Sequence, residues 1–292
     1  VEVAAVAESP VAGLGLGLGW RPEIAGVLDR LPGQRFTEVV AESLPVHGPL
    51  PVGLAGLRER GVTAVPHGTR LSLGGTEPLD PHRVAHLARA AEALDAPLLS
   101  EHIAFVRAGG LEAGHLLPLP RTREALDVLS RNIGLVQAEV GVPLAVEPIA
   151  ALFDWPEDEY TEADFVRELL ERTGAWLLLD VANVYANARN RHVGPWATLD
   201  RLPLERVAYL HVAGGAEHGG VYHDTHTAGT PAPVLELLRE LSPKLAGARP
   251  ALLLERDGHY PPAAVLRAEL DAVARAGGVP EITGVSRVGV TG

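Results

Sequence analysis

Along this chain, short continuous runs of Val, Leu and Ala alternate with longer stretches in which apolar residues recur every three or four positions. The short runs fall at residues 13–18, 36–41, 62–66, 97–100, 143–146, 176–179, 207–210 and 250–254, which makes eight. None shows the apolar–polar alternation of a half-exposed strand, so each is predicted to be a strand covered on both faces. The longer stretches, 81–94, 121–140, 162–173, 231–241 and 261–276, read as amphipathic helices. Strand and helix in repeated alternation predict an α/β protein, a single (β/α)₈ TIM barrel over 1–292, with a core at about 13–276 and irregular termini. Short Pro- and Gly-rich segments fall only where βα or αβ connections are needed, so no linker divides the chain.

The informative residues stand just after the apolar runs. His67 follows Val65-Pro66, Glu101 and His102 follow Leu99-Ser100, and Glu147 follows Ala145-Val146. Asp180 follows Leu178-Leu179, His211 follows Tyr209-Leu210, and Glu255 follows Leu253-Leu254. In a barrel the C-terminal strand ends converge on one face, so residues remote in sequence can surround a common point. Asn183 lies three residues after Asp180. The segment Tyr222-His223-Asp224-Thr225-His226 is expected in the loop after the seventh strand, folding back over the same mouth.

His67, His102, Glu147, Asp180, Asn183, His211, Asp224, His226 and Glu255 are oversupplied for one open-coordinated ion, which needs three or four protein ligands. Two or three ions fit better, with Glu147 as the candidate bridge. Burying so many carboxylates without cations would be costly. The chain has no cysteine, so disulfides, iron–sulfur clusters and thiolate sites are excluded, and any metal is held by oxygen and nitrogen. That donor set suits iron, manganese or zinc.

The remaining histidines do not join the pattern. His82 and His86 are expected on a helix surface, and His47, His115, His192, His218, His223 and His259 in loops, with His115 and His223 within reach of a substrate. The run Gly13-Leu-Gly-Leu-Gly-Leu-Gly19 is not G-x-G-x-x-G and reads as a first barrel strand packed against close neighbours.

Composition removes other classes. Hydrophobic residues at 47% and charged residues at 21% describe a globular chain. A net charge of −12, spread through the helices, disfavours nucleic acid. No apolar run reaches membrane-spanning length, and the first ten residues lack the basic start and apolar stretch of a signal peptide, so no membrane association and a cytoplasmic location are expected.

Taken together, His67-Gly68 with Leu71-Ser72, Ser100-Glu101-His102, Val146-Glu147, Leu179-Asp180-Val-Ala-Asn183-Val-Tyr185, His211-Val-Ala-Gly214, Asp224-Thr-His226 and Leu254-Glu255-Arg-Asp257 resemble the multinuclear non-heme iron-dependent oxidative enzymes, a family of xylose-isomerase-like barrels that includes the methanobactin biosynthesis oxidase. The resemblance covers roughly residues 13 to 275. It implies one iron held by His67, His102 and Glu147; a second sharing Glu147 and adding Asp180, His211 and Glu255; and a third on Asn183, Asp224 and His226. Glu147, Asp180 and His211 are then the residues at the reacting centre, with Glu101, Ser72 and Asp257 behind the ligands or against substrate.

The same resemblance implies mixed Fe(II)/Fe(III) ions, dioxygen as cosubstrate, and oxidation of a ribosomally made precursor peptide at Cys. It also implies a separate peptide-recognition partner protein. Two departures stand out: Pro148 follows Glu147 where members commonly carry Asn, and Asn183 stands where some carry His, which points to two tightly held irons and a labile third. The rival readings are a divalent-metal sugar isomerase or endonuclease-like hydrolase, and a barrel that binds metal without chemistry. An isomerase needs a lysine near the site, and the one lysine, Lys244, is far from any strand end.

Overall fold

A computed structural model describes residues 8–245 and 249–284. The absence of a signal peptide is read on the first ten residues, most of which lie outside that range, as do the extremes of the 1–292 span.

Among the described residues twelve strands form in chain order: β1 Leu16–Leu18, β2 Phe36–Val40, β3 Thr63–His67, β4 Leu99–Ile103, β5 Phe105–Ala108, β6 Leu111–Leu117, β7 Leu144–Pro148, β8 Trp176–Asp180, β9 Val207–Val212, β10 Gly214–His218, β11 Val221–Ala228 and β12 Ala251–Leu254. Eight of them make one sheet in the order β1-β12-β9-β8-β7-β4-β3-β2, every ladder parallel. The two ends meet: Trp20 and Val39 form a parallel bridge, Trp20 N–H donates to Glu38 O at 2.7 Å, and Thr37 Oγ1 donates to Leu18 O at 2.7 Å. The sheet is therefore a nearly closed barrel of the expected kind.

Closure requires β1 and β2 to approach very closely. At Gly17 an added Cβ would stand 2.3 Å from the Phe36 carbonyl oxygen, so glycine is demanded there by the neighbouring backbone. This gives the Gly-Leu repeat its structural reason.

The helices are α1 Ala25–Leu28, α2 Val52–Glu59, α3 Pro81–Ala93, α4 Arg123–Val140, α5 Glu162–Thr173, α6 Val181–Asn190, α7 Trp196–Leu199, α8 Ala232–Leu241 and α9 Ala263–Gly277. Thr122 and Thr161 cap α4 and α5 by accepting from Ala125 and Asp164 N–H, and both helices end at a left-handed glycine, Gly141 and Gly174. The sequence pattern did not single out α2 or α6. In α6, Val-Ala-Asn-Val-Tyr-Ala-Asn-Ala-Arg-Asn puts asparagines, poor helix formers, among the apolar positions and blurs the stripe.

Apolar side chains separate into two cores. One lies between strands and helices and includes Leu54, Leu87, Leu126, Ile133, Leu169, Leu238, Leu266 and Leu270; full burial of each such side chain is worth about 1.5–3 kcal/mol. The other fills the lumen with Phe36, Val65, Leu98, Ala145, Trp176, Leu178, Tyr209, Ala251 and Leu253. Because strand side chains alternate, the next lumen-facing positions above Phe36, Val65, Leu98, Ala145, Leu178, Tyr209 and Leu253 belong in turn to Glu38, His67, Ser100, Glu147, Asp180, His211 and Glu255. The barrel is thus apolar below and rich in donors above.

Two hairpins outside the barrel, β5–β6 and β10–β11, have no counterpart in the expected topology. His115 lies on β6, His218 on β10, and His223, Asp224 and His226 on β11, so the loop placement of these residues is corrected to strand. A strand made of Tyr-His-Asp-Thr-His lacks apolar alternation, which is why the pattern left it out. No described helix is long and apolar enough to cross a membrane.

Candidate metal centre

Strand register sets the donors side by side. His102 pairs with Glu147 across β4 and β7, Asp180 with His211 across β8 and β9, and His67 with Ser100 across β3 and β4. β3, β4, β7, β8 and β9 run one to three residues beyond the apolar runs, since a polar side chain at the lumen does not interrupt the backbone ladder.

His67, His102 and Glu147 form one group, with Glu147 Oε2 at 3.5 Å from His67 Nε2 and 3.4 Å from His102 Nε2. Glu147, Asp180 and His211 form the next. Here Glu147 turns its other oxygen, with Oε1 at 3.6 Å from His211 Nδ1, and Glu255 Oε2 lies 3.0 Å from the same nitrogen. One carboxylate therefore faces two donor groups with different oxygens, the disposition a bridge requires. Asp180, Asp224 and His226 make a third group, in which His226 Nε2 stands 2.6 Å from Asp224 Oδ2 and 3.6 Å from Asp180 Oδ2.

Partners on the far side of each ring orient these imidazoles. His102 Nδ1 donates to Gly68 O at 3.1 Å and leaves Nε2 toward Glu147. His211 Nε2 donates to Glu38 at 2.9 Å and leaves Nδ1 toward Glu147 and Glu255. The two oxygens of Asp180 face different ways. Oδ1 caps α6 by accepting from Ala182 N–H at 2.6 Å and Asn183 N–H at 3.2 Å, and Oδ2 is left for the cavity. The cap also starts the helix that carries Asn183. That side chain donates from Nδ2 to Glu147 Oε1 at 3.4 Å and to Pro148 O at 3.2 Å, so its amide oxygen is unengaged. His226 is held at φ 53°, a left-handed conformation that costs a non-glycine residue roughly 1 kcal/mol or more.

Not every sequence candidate enters the cavity. Glu101 turns away from it, accepting from Leu71 N–H at 2.9 Å and from His102 N–H at 2.8 Å, and so ties the β3 exit loop to β4. Ser72, at φ 63°, accepts from Val106 N–H at 3.0 Å and also lies outside. Asp257 is at the rim, its Oδ2 3.1 Å from His226 Nδ1.

The sequence reading missed three residues that touch the cluster. Glu38 is completely buried beside His211. Tyr209 lies beneath His211 in the same strand. Arg21 lines the mouth and clamps Glu255 Oε1 at 3.0 Å and Asp257 Oδ1 at 2.5 Å. A charged residue inside the apolar run Phe-Thr-Glu-Val-Val was the available signal for Glu38.

Six carboxylates and four imidazoles meet here. Burial alone would pull His102 down, but the Glu147 carboxylate, with Glu101 and Glu255, holds it at about 9. Burial likewise opposes protonation of His211 and His226, and the carboxylates around them raise both well above the usual imidazole range, Glu38 and Glu255 foremost at His211 and Glu255 and Asp224 foremost at His226. Burial pushes Asp224 up to about 6 against the pull of His226. Protons on these rings and a cation are alternative ways of balancing the same negative charge.

The donor atoms fit a cation. Glu147 Oε2, Asp180 Oδ2, Asn183 Oδ1, His211 Nδ1 and Asp224 Oδ1 are all buried without a hydrogen-bond partner. Such orphans are expensive unless something else engages them. Glu147, Asn183 and Asp224 border a cavity of about 280 Å³ that is also lined by His115, Leu116, Ile149, Ala150 and Thr225. A larger cavity, about 650 Å³, opens at the opposite end of the barrel between Gly13, Arg239, Leu252 and Gly277, away from every one of these groups.

The sequence profile of the family described as "RiPP precursor modification enzyme MbnB/TglH/ChrH" matches residues 15–277. The UPF0276 protein of Streptomyces avermitilis is 53% identical over 269 residues, 90% of this chain; this chain spans 55% of that protein's length. The UPF0276 protein of Bordetella bronchiseptica is 40% identical over 88% of this chain and 91% of its own. Among solved structures, a putative xylose isomerase from Rhodospirillum rubrum superposes with TM-score 0.59 at 16% identity, covering 92% of this chain and all of that one. Endonuclease IV from Thermus thermophilus superposes with TM-score 0.58 at 20% identity, covering 89% of this chain and 99% of that one. Those two likenesses establish the xylose-isomerase-like barrel, and the profile and relatives establish kinship: the chain belongs to the MbnB/TglH/ChrH family of RiPP precursor modification enzymes.

Proposed function

We propose that this chain is a multinuclear non-heme iron-dependent oxidase that modifies a ribosomally made precursor peptide at cysteine, with dioxygen as cosubstrate and two or three irons, Fe(II) and Fe(III) mixed, as cofactor. The observation that carries the reading is Glu147, whose two oxygens face separate groups of buried donors. In this assignment His67, His102 and Glu147 hold one iron. Glu147, Asp180, His211 and Glu255 hold the second, and Asn183, Asp224 and His226 the third. Bound iron would supply open positions for a substrate thiolate and for activation of dioxygen toward removal of hydrogen from carbon.

The chain's own residues do the rest. Glu147, Asp180 and His211 bring the reacting centre together at the floor of the cavity, where burial excludes bulk water. Arg21 holds Glu255 by one oxygen, which frees Oε2 for the cluster. About 280 Å³ is room for one side chain and its neighbouring backbone, which suits an extended peptide entering past His115 and Thr225. Asp257 stands at that rim. A separate peptide-recognition protein delivers the precursor. The chain acts as one barrel domain in the cytoplasm, and its net charge of −12 disfavours nucleic acid as a partner.

The test is elemental analysis of protein from iron-supplemented medium, with Mössbauer spectroscopy of the same sample. Two or three irons per chain with coupled signals support the reading. Stoichiometric zinc or manganese without iron, persisting after anaerobic preparation, moves the assignment to the isomerase and hydrolase chemistry found on this barrel. Metal without oxygen consumption in the presence of the precursor peptide leaves a binding barrel.

A further inference from the structure

Glu38 sits two positions above the lumen residue Phe36 and has no exposure to solvent. Two donors converge on its Oε2, His211 Nε2 at 2.9 Å and the Tyr209 hydroxyl at 2.6 Å. Tyr209 Oη is also 2.7 Å from Ser100 Oγ, and Ser100 Oγ is 2.7 Å from His67 Nδ1. These contacts make a continuous buried chain from His67 through Ser100 and Tyr209 to Glu38, and on to His211.

The proton count fixes its direction. A phenol has one proton, and the carboxylate is the stronger acceptor, so Tyr209 donates to Glu38. Ser100 then donates to Tyr209, and His67 Nδ1–H donates to Ser100. Each oxygen along the way gives one proton and accepts one. With a cation in place of any proton there, His67 Nε2 and His211 Nδ1 are the lone pairs left to hold it; both face Glu147, at 3.5 Å and 3.6 Å. His67 and His211 belong to different ones of the two donor groups that share Glu147, and Glu38, which is in neither of those two but groups with His211 and Glu255, sets the tautomer of one ring in each.

We propose that Glu38, Tyr209 and Ser100 are positioning residues that act as one unit, locking His67 and His211 in their metal-binding tautomers and coupling the two groups. The inference rests on the metal reading above. The hydroxyl of Tyr209 is not needed for packing. Its ring meets Phe36 edge-on, with centroids 5.7 Å apart and planes at 78°, and a phenylalanine would do the same. Removal of the hydroxyl breaks the chain on the His67 side and leaves the His211–Glu38 contact in place.

The experiment is anaerobic titration of Fe(II) into the apo chain against a competing chelator, with sites resolved by Mössbauer doublets and assigned through His102→Ala and Asp180→Ala. Outer partners of metal-bound histidines are typically worth about 10- to 100-fold in affinity. Tyr209→Phe is expected to weaken the His67 site by that factor and to leave the His211 site nearly unchanged. Ser100→Ala should do the same, and the double variant should be no worse than the more severe single one. Glu38→Gln should weaken both sites. Equal affinities in Tyr209→Phe and wild type, or equal losses at both sites, overturn the proposal. A wild-type chain that takes up no iron instead defeats the metal reading on which it rests. Should Glu38→Gln fail to fold, Tyr209→Phe and Ser100→Ala still decide the matter.

Discussion

Glu147 Oε2 lies 3.4 Å from His102 Nε2, across register-paired positions of β4 and β7. The pairing is made by backbone hydrogen bonds, so the distance belongs to the barrel rather than to a flexible loop. Its neighbour Glu101, one residue earlier on β4, faces the other way and accepts two backbone N–H groups.

Substitution therefore separates the two glutamates. Glu147→Ala is expected to lose most bound metal, because both donor groups lose a member. Glu101→Ala should retain it and instead destabilise the fold by about 1–3 kcal/mol, through two buried N–H groups left unpaired. Metal content by mass spectrometry and thermal melting check the pair; equal metal loss from both would remove Glu147 as the bridge.

Asp180 serves the helix and the cavity with different oxygens. Asp180→Asn can keep the cap on α6 through its amide oxygen but loses the charge, so metal at the Asp180–His211 group should fall while melting stays near wild type. Asp180→Ala should lose the same metal and also about 1 kcal/mol of stability. Identical melting of the two variants would argue against the capping role.

Metal uptake should release protons. With His102 held at about 9, its ring is protonated at neutral pH and must lose that proton to bind. Affinity is expected to rise about tenfold per pH unit for each proton displaced, and the His102 contribution should level off above about 9. Stability of the apo chain runs the opposite way: a raised histidine stabilises fully below its ordinary value of 6.5, and that contribution is lost as pH rises through about 9. Calorimetry in buffers of different ionisation enthalpy counts the protons, and a pH-independent affinity contradicts the prediction.

Gly17→Ala should damage barrel closure, since its Cβ would meet the Phe36 carbonyl at 2.3 Å and that backbone is bonded into the sheet. A loss of about 3 kcal/mol is expected. Gly15→Ala tests position instead of composition: nothing lies within 4 Å there, and the cost comes only from its φ of 78°. Chemical denaturation of both variants compares them.

The linear order of residues is enough to read the barrel and most of the residues at its mouth. Eight apolar runs, each followed by a ligand-type residue or a turn, can be recognised without coordinates, because double burial removes alternation and the strand end is where polarity resumes. That order marks Glu38 only as a charge within an apolar run and could not show its contact with His211, which arises because β2 and β9 face one another across the lumen, 173 residues apart in sequence. Nor could it place Asp224 and His226 on a strand, for their hairpin carries no apolar period. Packing across the lumen is what settles which oxygen of Glu147 faces which group, which nitrogen of each imidazole is free, and that Ser72 stays outside. Those outcomes depend on separations of a few ångströms between side chains on different strands. A one-dimensional pattern records which face a residue takes, and it does not record what stands opposite.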